Sequence, residues 1–311
     1  MSQLDIVLVS YNTAEYTLRA IESVYTQTQD TDFNIIMVDN DSKDNSVELI
    51  KNNFPDVKII QTGANLGFAG GVNIGAKASN SDYILLLNPD TVILEGAIDN
   101  LMAFAQKTPQ AGIWGGITLN DDLSLNPNNA RARLSFKTLL FSALGLSKAF
   151  NKSCFFNHDN YGCWDRKSER EVDVITGCFF LTPRKLWKEL KDLDETFFMY
   201  AEEADYCIRA IKKGYQPRVT PDAKIIHHGG VSETNISGKM LKLLKGKAEL
   251  INKHAKSWQK PIHKGLLLWH VFNKTMALNL FSLVKKNKIP VRDEWRIVLN
   301  QRNQWLKGYQ D

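Results

Sequence analysis

Acidic residues lie at or just beyond the ends of two runs of buried-strand character in this chain of 311 residues. Asp39 ends "IIMVD", and Asp90 ends "YILLLNPD". A carboxylate at the tip of a strand can accept hydrogen bonds from a base or a sugar. Its oxygens also suit a hard cation such as Mg²⁺ or Mn²⁺, which bridges the oxygens of a diphosphate. Taken alone, a polar turn explains Asp39 equally well and explains Asp90 better.

An acidic cluster and a histidine pair have the same double interpretation. "DETFFMYAEEADYCIRA" places Glu202, Glu203 and Asp205 at the start of a predicted helix, behind an apolar segment. The helix dipole stabilises carboxylates there, whereas an apolar wall raises the proton affinity that a general base needs. "KIIHHGGVS" ends a strand with His227 and His228. One imidazole beside Asp90 would form a mixed nitrogen and oxygen cation site, and a structural histidine is the alternative.

Four glycines lie in "NLGFAGGVNIGA", residues 65–76. They allow the backbone to approach a ligand closely at the start of a helix. Their spacing does not match the Gly-x-Gly-x-x-Gly fingerprint, and the chain has no Gly-x-x-x-x-Gly-Lys-Ser/Thr phosphate loop.

The elements that position these residues follow an alternating pattern. Apolar runs without strict alternation predict buried parallel strands at 5–10, 34–39, 57–61, 83–87 and 112–117. Helical spacing predicts helices between them at 12–28, 44–52, 70–79 and 95–107, the first with an Asn12–Glu15 capping box. Right-handed crossovers then bring the strand ends to one edge of the sheet, where open α/β sheets bind ligands.

The second half of the chain is less regular. Residues 120–170 are loop-like, with a short helix within 137–150. The pattern then predicts a strand at 172–182, helices at 183–190 and 201–213, and a strand at 223–228. The whole is an α/β protein.

The C-terminal region differs from the rest in charge. From Gly238 onward, 16 Lys or Arg face 4 Asp or Glu, a balance of +12, so the net charge of +5 leaves 5 − 12 = −7 on residues 1–237. Residues 265–284 are mostly apolar but interrupted by Asn273, Lys274 and Asn279, which argues against a spanning helix. One interpretation is a core-packed helix pair with a solvated lysine face; the other is a basic surface on an anionic membrane. Helical spacing there joins Met240 or Leu241, Leu244, Ala248, Ile251, Ala255 and Trp258.

Composition restricts the remaining classes of protein. The four cysteines contain no Cys-x-x-Cys pair, so we expect reduced thiols in a cytosolic protein. The chain opens on a strand pattern rather than a secretory signal. Tail charge alone suggests nucleic acid, and no recognition motif accompanies it.

Seven motifs follow one another along about residues 4–240: "IVLVSYN", "VDNDSKDNS", "NLGFAGGVNIGA", "LLLNPDT", "ITGCFFLTPRKLW", "DETFFMYAEEADYCIRA" and "IIHHGGVS". In this order they resemble inverting family-2 glycosyltransferases of the GT-A fold, most closely bacterial rhamnosyltransferase-like members that build cell-surface polysaccharides. The resemblance implies a Rossmann-like mixed sheet flanked by helices, here with a C-terminal helical extension.

The resemblance also implies roles for individual residues. It places the catalytic base on Glu203 and a divalent cation, Mg²⁺ or Mn²⁺, on Asp90 and His227, with His228 less favoured. It assigns contact with the acceptor, or support of the residues that make such contact, to Gly177, Glu202, Asp205 and Arg209. The resemblance assigns contacts with the nucleotide-sugar donor to Ser10, Tyr11, Asn12, Asp39, Asn65, Gly67, Asn88 and Asp90.

Two positions depart from the family pattern. Asn88-Pro89-Asp90 replaces the usual Asp-x-Asp, which removes one charged ligand. Glu203 stands where the family has Asp, which lengthens the base by one methylene.

The function implied is inverting transfer of L-rhamnose from dTDP-rhamnose to a glycan or lipid-linked acceptor, in the cytoplasm or peripherally on the inner face of the cell membrane. Alternatives are a galactose-type or other UDP-sugar donor, or a non-catalytic nucleotide-sugar-binding module. A sugar nucleotidyltransferase would need a glycine-rich loop with Arg and Lys, which residues 10–20 lack. We predict a catalytic domain over 1–237, with a nucleotide-sugar half at 1–120 and an acceptor half at 121–237, and a basic helical region over 238–311.

Overall fold

The computed structural model describes residues 3–229 and 235–309. Its strands are β1 Leu4–Ser10, β2 Phe33–Asp39, β3 Lys58–Gln61, β4 Tyr83–Leu87, β5 Thr91–Leu94, β6 Trp114–Leu119, β7 Leu125–Asn126, β8 Ala130–Arg131, β9 Arg170–Glu171, β10 Val174–Ile175, β11 Phe179–Pro183 and β12 Arg218–His227. Its helices are α1 Ala14–Gln27, α2 Ser46–Asn53, α3 Gly67–Lys77, α4 Ala97–Lys107, α5 Phe136–Ala143, α6 Leu146–Ala149, α7 Arg184–Leu190, α8 Glu202–Lys212, α9 Ile236–His254, α10 Gln259–Val284, α11 Ile289–Asn300 and α12 Arg302–Trp305.

The main sheet is mixed and follows the order β3-β2-β1-β4-β11-β6-β12-β5. Its first four strands are parallel, whereas β11 runs antiparallel to both β4 and β6. β1 is buried along its whole length, as its unbroken apolar run predicts for a strand covered on both faces. The predicted α/β class with a mixed, helix-flanked sheet is confirmed.

Two of the places where the strands differ from the sequence prediction lie next to predicted site residues. The expected strand at 172–182 is two strands, β10 and β11, separated by Thr176, Gly177 and Cys178. The interruption arises because the two strands join different sheets: β10 pairs with β8, with the Thr176 N–H donating to the Asn129 carbonyl, whereas β11 pairs with β4, with the Cys178 carbonyl accepting from the Asn88 N–H. The other difference is β5, a four-residue strand directly after "NPD" that the sequence pattern did not predict.

The start of α1 also differs from its prediction. Asn12 adopts a left-handed backbone with φ 54°, so it does not cap the helix with Glu15. The Ala14 N–H instead donates to Asp44 Oδ2 at 3.1 Å, which supplies the cap from a distant loop.

The described residues form two compact units. The first, which we call the sheet unit, comprises 1–131, 166–198 and 202–232 as far as they are described; the second, the helical unit, comprises 132–165, 199–201 and 233–311 likewise. The predicted functional division at residues 120 and 237 stays a prediction.

The helical unit has its own apolar core. Leu244 and Ile251 of α9, Leu267 and Leu278 of α10, and Trp295 of α11 are buried there together. The predicted apolar face is therefore packed in a core as far as Ala255. Its last predicted member, Trp258, lies beyond α9 and is exposed, so the prediction is wrong for this residue. Among the described residues, no helix combines the length and hydropathy needed to cross a membrane.

The prediction of four reduced thiols is wrong for one pair. Cys154 and Cys163 form a disulfide, whereas Cys178 and Cys207 are buried thiols. Turns fold the intervening segment back on itself, with the Gly162 N–H donating to the Asn157 carbonyl. A search for Cys-x-x-Cys cannot detect a pair that turns bring together.

Candidate active site

Asp90 and His227 meet at one edge of the sheet because β5 and β12 are antiparallel neighbours. His227 lies opposite Thr91 in this ladder, and the His228 N–H donates to the Asp90 carbonyl at 3.0 Å. Asp90 Oδ1 lies 3.3 Å from His227 Nε2, and Asn88 Nδ2 lies 3.4 Å from the same nitrogen. The structure thus brings together both predicted metal ligands and Asn88.

Electrostatics couple this pair. Burial lowers the pKa of His227, but the Cys178 sulfur and the Asp90 carboxylate outweigh it and raise that pKa to about 11. Burial raises the pKa of Asp90, but the hydrogen bond and charge of His227 lower it overall. Asp90 and His227 therefore each favour the charged form of the other. Cys178, which the sequence prediction did not include, belongs to this group.

The pair fits a divalent cation. Two ligands in adjacent octahedral positions, each about 2.1 Å from Mg²⁺, lie about 3 Å apart, close to the Asp90–His227 separation. Neighbouring His, Cys, Asp or Glu do not extend this pair to a three-residue metal cluster within the described residues. A cation held there would therefore take most of its ligands from a diphosphate and water. His228 is directed elsewhere, 2.5 Å from Asp121 Oδ1 and packed against the Tyr16 ring. Gly230 and Ser232 of its motif lie outside the described residues.

Asp39 lies at the end of β2, next to Ser10 at the end of β1. Its carboxylate is buried, and Oδ2 accepts from the Ser42 N–H at 3.3 Å. Its other oxygen, Oδ1, has no hydrogen-bond partner among the described residues. A buried carboxylate oxygen of this kind is a ready acceptor for a ligand N–H or O–H group.

The hydroxyl of Ser10 does not face the edge in the same way. It is fully buried and lies 3.2 Å and 3.1 Å from the hydroxyls of Thr13 and Thr17. Tyr11 is exposed, and the Asn12 side chain accepts from the Lys43 N–H at 2.7 Å. Asn12 therefore ties its loop to the one after β2.

Asn40 is the polar residue that the sequence analysis missed. It is buried beside Asp39, and its Nδ2 donates to the Gly67 carbonyl at 3.0 Å and to Asn65 Oδ1 at 3.1 Å. Its Oδ1 accepts from the Leu66 N–H at 3.0 Å. One side chain thus fixes the loop that carries two predicted donor contacts. The only sequence signal was its place in the polar run after β2.

The glycines of α3 serve close packing. Gly67 has φ +73°, and a Cβ there would lie 2.1 Å from the Phe198 carbonyl oxygen. Cβ atoms at Gly71 and Gly75 would lie 2.7 Å and 2.4 Å from the side chains of Val9 and Val7 on β1. The helix therefore lies unusually close to the sheet and holds its first turn against the strand ends.

Glu203 lies in the first turn of α8, beside Gly177. A Cβ built on Gly177 would lie 3.9 Å from Glu203 Cβ and 3.3 Å from the Phe68 ring, so the glycine leaves room beside the predicted base. Glu202 is buried, and its Oε2 has no hydrogen-bond partner in the described part of the chain. Burial, together with the charge of Glu203, raises the pKa of Glu202 well above its usual range.

Asp205 and Arg209 fix the helix that carries Glu203. Arg209 Nε donates to the fully buried Asp205 Oδ2 at 2.6 Å, and its Nη2 donates to the Asp192 carbonyl at 2.9 Å. These contacts tie α8 to the loop after α7. Of the two predicted roles, support of neighbouring site residues fits these contacts of Asp205 and Arg209 better than direct contact with the acceptor.

Similarity to solved structures defines the fold. The chain superimposes on a mannosyltransferase from Pyrobaculum calidifontis, crystallised with GDP-Man and Mn²⁺, at a TM-score of 0.59 and 12% identity, covering 99% of this chain and 86% of that one. A mixed sheet in this arrangement is the GT-A glycosyltransferase fold.

The family follows from sequence. The model of glycosyl transferase family 2 matches residues 5–190, so the chain belongs to this family. It is 27% identical to the N-acetylglucosaminyl-diphospho-decaprenol L-rhamnosyltransferase of Mycobacterium tuberculosis over 72% of this chain and 76% of that one. It is 23% identical to the rhamnosyltransferase WbbL of Escherichia coli over 72% and 82% of the two chains. The chain is thus a rhamnosyltransferase-like glycosyltransferase of glycan synthesis.

Proposed function

We propose that this protein transfers L-rhamnose from dTDP-rhamnose, with inversion, to a glycan or lipid-linked glycan acceptor. The observation that carries the proposal is the pairing of Asp90 with His227 at the strand edge. The buried Asp39 oxygen that lacks a hydrogen-bond partner among the described residues supports a polar ligand at the end of β2. The rhamnosyltransferase relatives support the sugar, and the diphospho-decaprenol in the name of one supports a lipid-linked acceptor.

Asp90 and His227 would hold the divalent cation, with Asn88 beside them. When bound, the cation supplies positive charge to a diphosphate leaving group. Asp39 would accept a hydrogen bond from the nucleotide, and Asn40 would hold the Asn65–Gly67 loop against the donor. These residues bind and orient the donor.

Glu203 would act on the opposite side of the reaction. Its carboxylate takes the proton from an acceptor hydroxyl while that oxygen bonds to the anomeric carbon and the bond from that carbon to the diphosphate breaks. The nucleoside diphosphate leaves with the bonding electrons. One displacement of this kind inverts the anomeric configuration. Gly177 leaves space beside the base for an acceptor.

A lipid-linked acceptor would bring the reaction to a membrane surface. We therefore propose a peripheral position on the inner face of the cell membrane, which the basic C-terminal region would favour through attraction to anionic lipids.

A donor screen tests the proposal. Hydrolysis and transfer are measured with dTDP-rhamnose, UDP-galactose, other UDP-sugars and GDP-mannose, each with Mn²⁺ and with EDTA. We expect the fastest, metal-dependent turnover with dTDP-rhamnose. Faster turnover with a UDP-sugar would replace the donor, and binding without turnover of any donor would indicate a non-catalytic module.

A metal-site variant provides the matched measurement. Asp90→Ala should weaken donor binding in the presence of Mn²⁺ and leave the weaker, metal-free binding unchanged, as read by calorimetry. Equal affinity of the variant and the natural protein in Mn²⁺ would remove Asp90 from the cation site.

A further inference from the structure

The exposed positions of α10 are unusual in composition. Every one of them carries a large apolar side chain, apart from Pro261 and Gly265. A solvent-facing side of a helix in a globular protein normally carries charged and polar residues. The exposed apolar set along this helix is Ile262, Trp269, Phe272, Met276, Leu280 and Leu283, which we call the outer apolar face; Phe281 and Val284 adjoin its end.

This face lies opposite the side of α10 that forms the core of the helical unit. Buried positions recur at Leu267, Val271 and Leu278, whereas the outer apolar face recurs at intervals of three, four or seven residues on the other side. Leu280 is 68% exposed and Val284 is 85% exposed. The helix has 26 residues and is therefore about 39 Å long, so the face forms a continuous strip.

Basic residues surround the strip and acidic residues do not. Between Glu249 and Asp293 the chain has eight lysines and no Asp or Glu. Lys256 lies exposed before one end of the strip, and Lys285, Lys286 and Lys288 lie exposed beyond the other. An apolar strip with positive charge at both ends complements an interface of apolar chains and anionic headgroups.

The same charges disfavour a second copy of this chain as the occupant. Two such strips packed together would bring lysines against lysines, with no carboxylate in this stretch to compensate. In an antiparallel pair, Lys256 of each copy would lie near Lys285 and Lys286 of the other. Anionic lipids provide the missing negative charge and the apolar environment at once.

An apolar cavity adjoins one end of the strip. Phe136, Trp258, Gln259, Ile262 and His263 line a space of about 250 Å³. Trp258 is 65% exposed and Phe136 is 50% exposed, so the apolar surface extends from α10 onto α5. This open depression enlarges the apolar surface available at that end of the strip.

We propose that the outer apolar face of α10 lies in the plane of an anionic membrane, with its side chains among the acyl chains and the flanking lysines at the headgroups. The inference deepens the peripheral location proposed above and identifies the apolar side of α10, rather than the lysine side of α9, as the inserting surface. It does not depend on the proposed chemistry.

Vesicle sedimentation tests it. The full chain is mixed with vesicles of phosphatidylcholine alone or with phosphatidylglycerol, at low and moderate salt. We expect binding to the mixed vesicles, weaker at higher salt. Trp269→Ser with Leu280→Ser should reduce that binding by about tenfold or more. Lys285→Glu with Lys286→Glu should reduce it by about fivefold or more per lysine and should weaken its salt dependence.

A matched control uses exposed apolar residues away from the strip. Leu123 and Leu125 of the sheet unit are exposed as well, so Leu123→Ser with Leu125→Ser should bind vesicles like the natural protein. An equal loss in this variant would mean that binding follows general surface hydropathy, which would overturn the assignment. All substituted positions are exposed, and circular dichroism should show unchanged folding.

Two results would overturn the proposal outright. One is no binding to phosphatidylglycerol vesicles even at low salt. The other is a concentration-dependent dimer in sedimentation velocity that Trp269→Ser with Leu280→Ser abolishes, which would assign the strip to a second copy. Donor hydrolysis measured without vesicles reports on the chemistry separately, so failure of either proposal is recognisable.

Discussion

The two units of this protein depart from the usual distribution of side chains in opposite directions. The sheet unit buries carboxylates, among them Asp39, Asp90 and Glu202, whereas the helical unit exposes large apolar groups such as Trp269 and Leu280. Folding alone favours neither arrangement, because burying a charge costs free energy and exposing an apolar strip gains none. In each unit, the departure marks the surface where we expect a ligand.

The two departures differ in how the fold accommodates them. In the sheet unit, neighbours compensate the buried charge: Asp90 lies beside His227, and Asp205 accepts from Arg209. Removing one member leaves the other buried and uncompensated. In the helical unit the exposed groups have no such role in packing. Substitutions in the sheet unit should therefore alter stability or catalysis strongly, and substitutions on the outer apolar face should hardly alter stability.

The largest expected effect is on catalysis in the sheet unit. Glu203→Gln should lower the transfer rate by about 10²- to 10⁴-fold, the usual contribution of a general base, because the amide cannot take the acceptor proton. Donor affinity measured by calorimetry should stay unchanged. Glu203→Asp is the matched control and should retain part of the activity. Near-normal turnover of Glu203→Gln would remove this residue from the role.

The next effect is on the stability of the Asn65–Gly67 loop, which we propose binds the donor. Gly67→Ala should lower the free energy of unfolding by about 2–4 kcal/mol, because the new Cβ meets both a left-handed backbone and the Phe198 carbonyl. Gly63→Ala is its control: φ is +72° and no atom lies within 4 Å, so it should cost only about 1 kcal/mol. Urea denaturation measures both, and equal values would mean that packing contributes nothing at Gly67.

Asn40 should show an intermediate effect. Asn40→Ala leaves buried groups of the glycine loop without partners, at about 1–3 kcal/mol of stability, and should weaken donor binding. Asn53→Ala removes one exposed side-chain bond to the Leu49 carbonyl and should change stability by less than about 0.5 kcal/mol. If the two variants unfold at the same urea concentration, Asn40 does not hold the loop.

Glu202 makes stability depend on pH. Its pKa is raised in the folded protein, so the folded state binds more protons than the unfolded state above the ordinary glutamate pKa. The free energy of unfolding should therefore fall as pH rises from the ordinary glutamate pKa to the raised pKa of Glu202, by up to about 1.4 kcal/mol per pH unit. Glu202→Gln should remove this slope in unfolding measured between pH 5 and 8. An identical slope in both proteins would contradict the assignment.

The smallest effect belongs to the outer apolar face. Leu280→Ser should change the free energy of unfolding by no more than about 0.5 kcal/mol, because the side chain is exposed. Leu278→Ala, two residues away on the core side, should cost about 2–5 kcal/mol. Similar losses in the two variants would mean that both sides of α10 are packed, and the comparison between the units would fail.

The strand edge with its acidic residues was predictable from sequence. Buried parallel strands have a clear apolar pattern, and crossover rules place their ends together, so Asp39 and Asp90 were expected near one another. The contact between Asp90 and His227 could not be predicted from the strand pattern, because β5 is only four residues long and too short to show a period. Only the antiparallel ladder between β5 and β12 brings the two side chains into contact.

Other features depend on contacts that no local pattern contains. Asn40 differs from its polar neighbours only in its hydrogen bonds to the Asn65–Gly67 loop. Cys178 interacts with His227 because it lies in the gap between β10 and β11. For α10, sequence hydropathy shows apolar residues on both sides and cannot tell which side is packed. The bond between Cys154 and Cys163 depends on turns rather than on a spacing motif.

The glycines of α3 have a consequence for how this enzyme can diversify. Because Gly71 and Gly75 lie against the side chains of Val9 and Val7, any larger residue would push the helix away from the sheet. We therefore expect few tolerated substitutions in this part of the proposed donor site. We expect new sugar specificity to arise where side chains have room, as beside Gly177 and Phe68. Related chains that use different donors should therefore differ mainly in the segments around β10, β11 and α8.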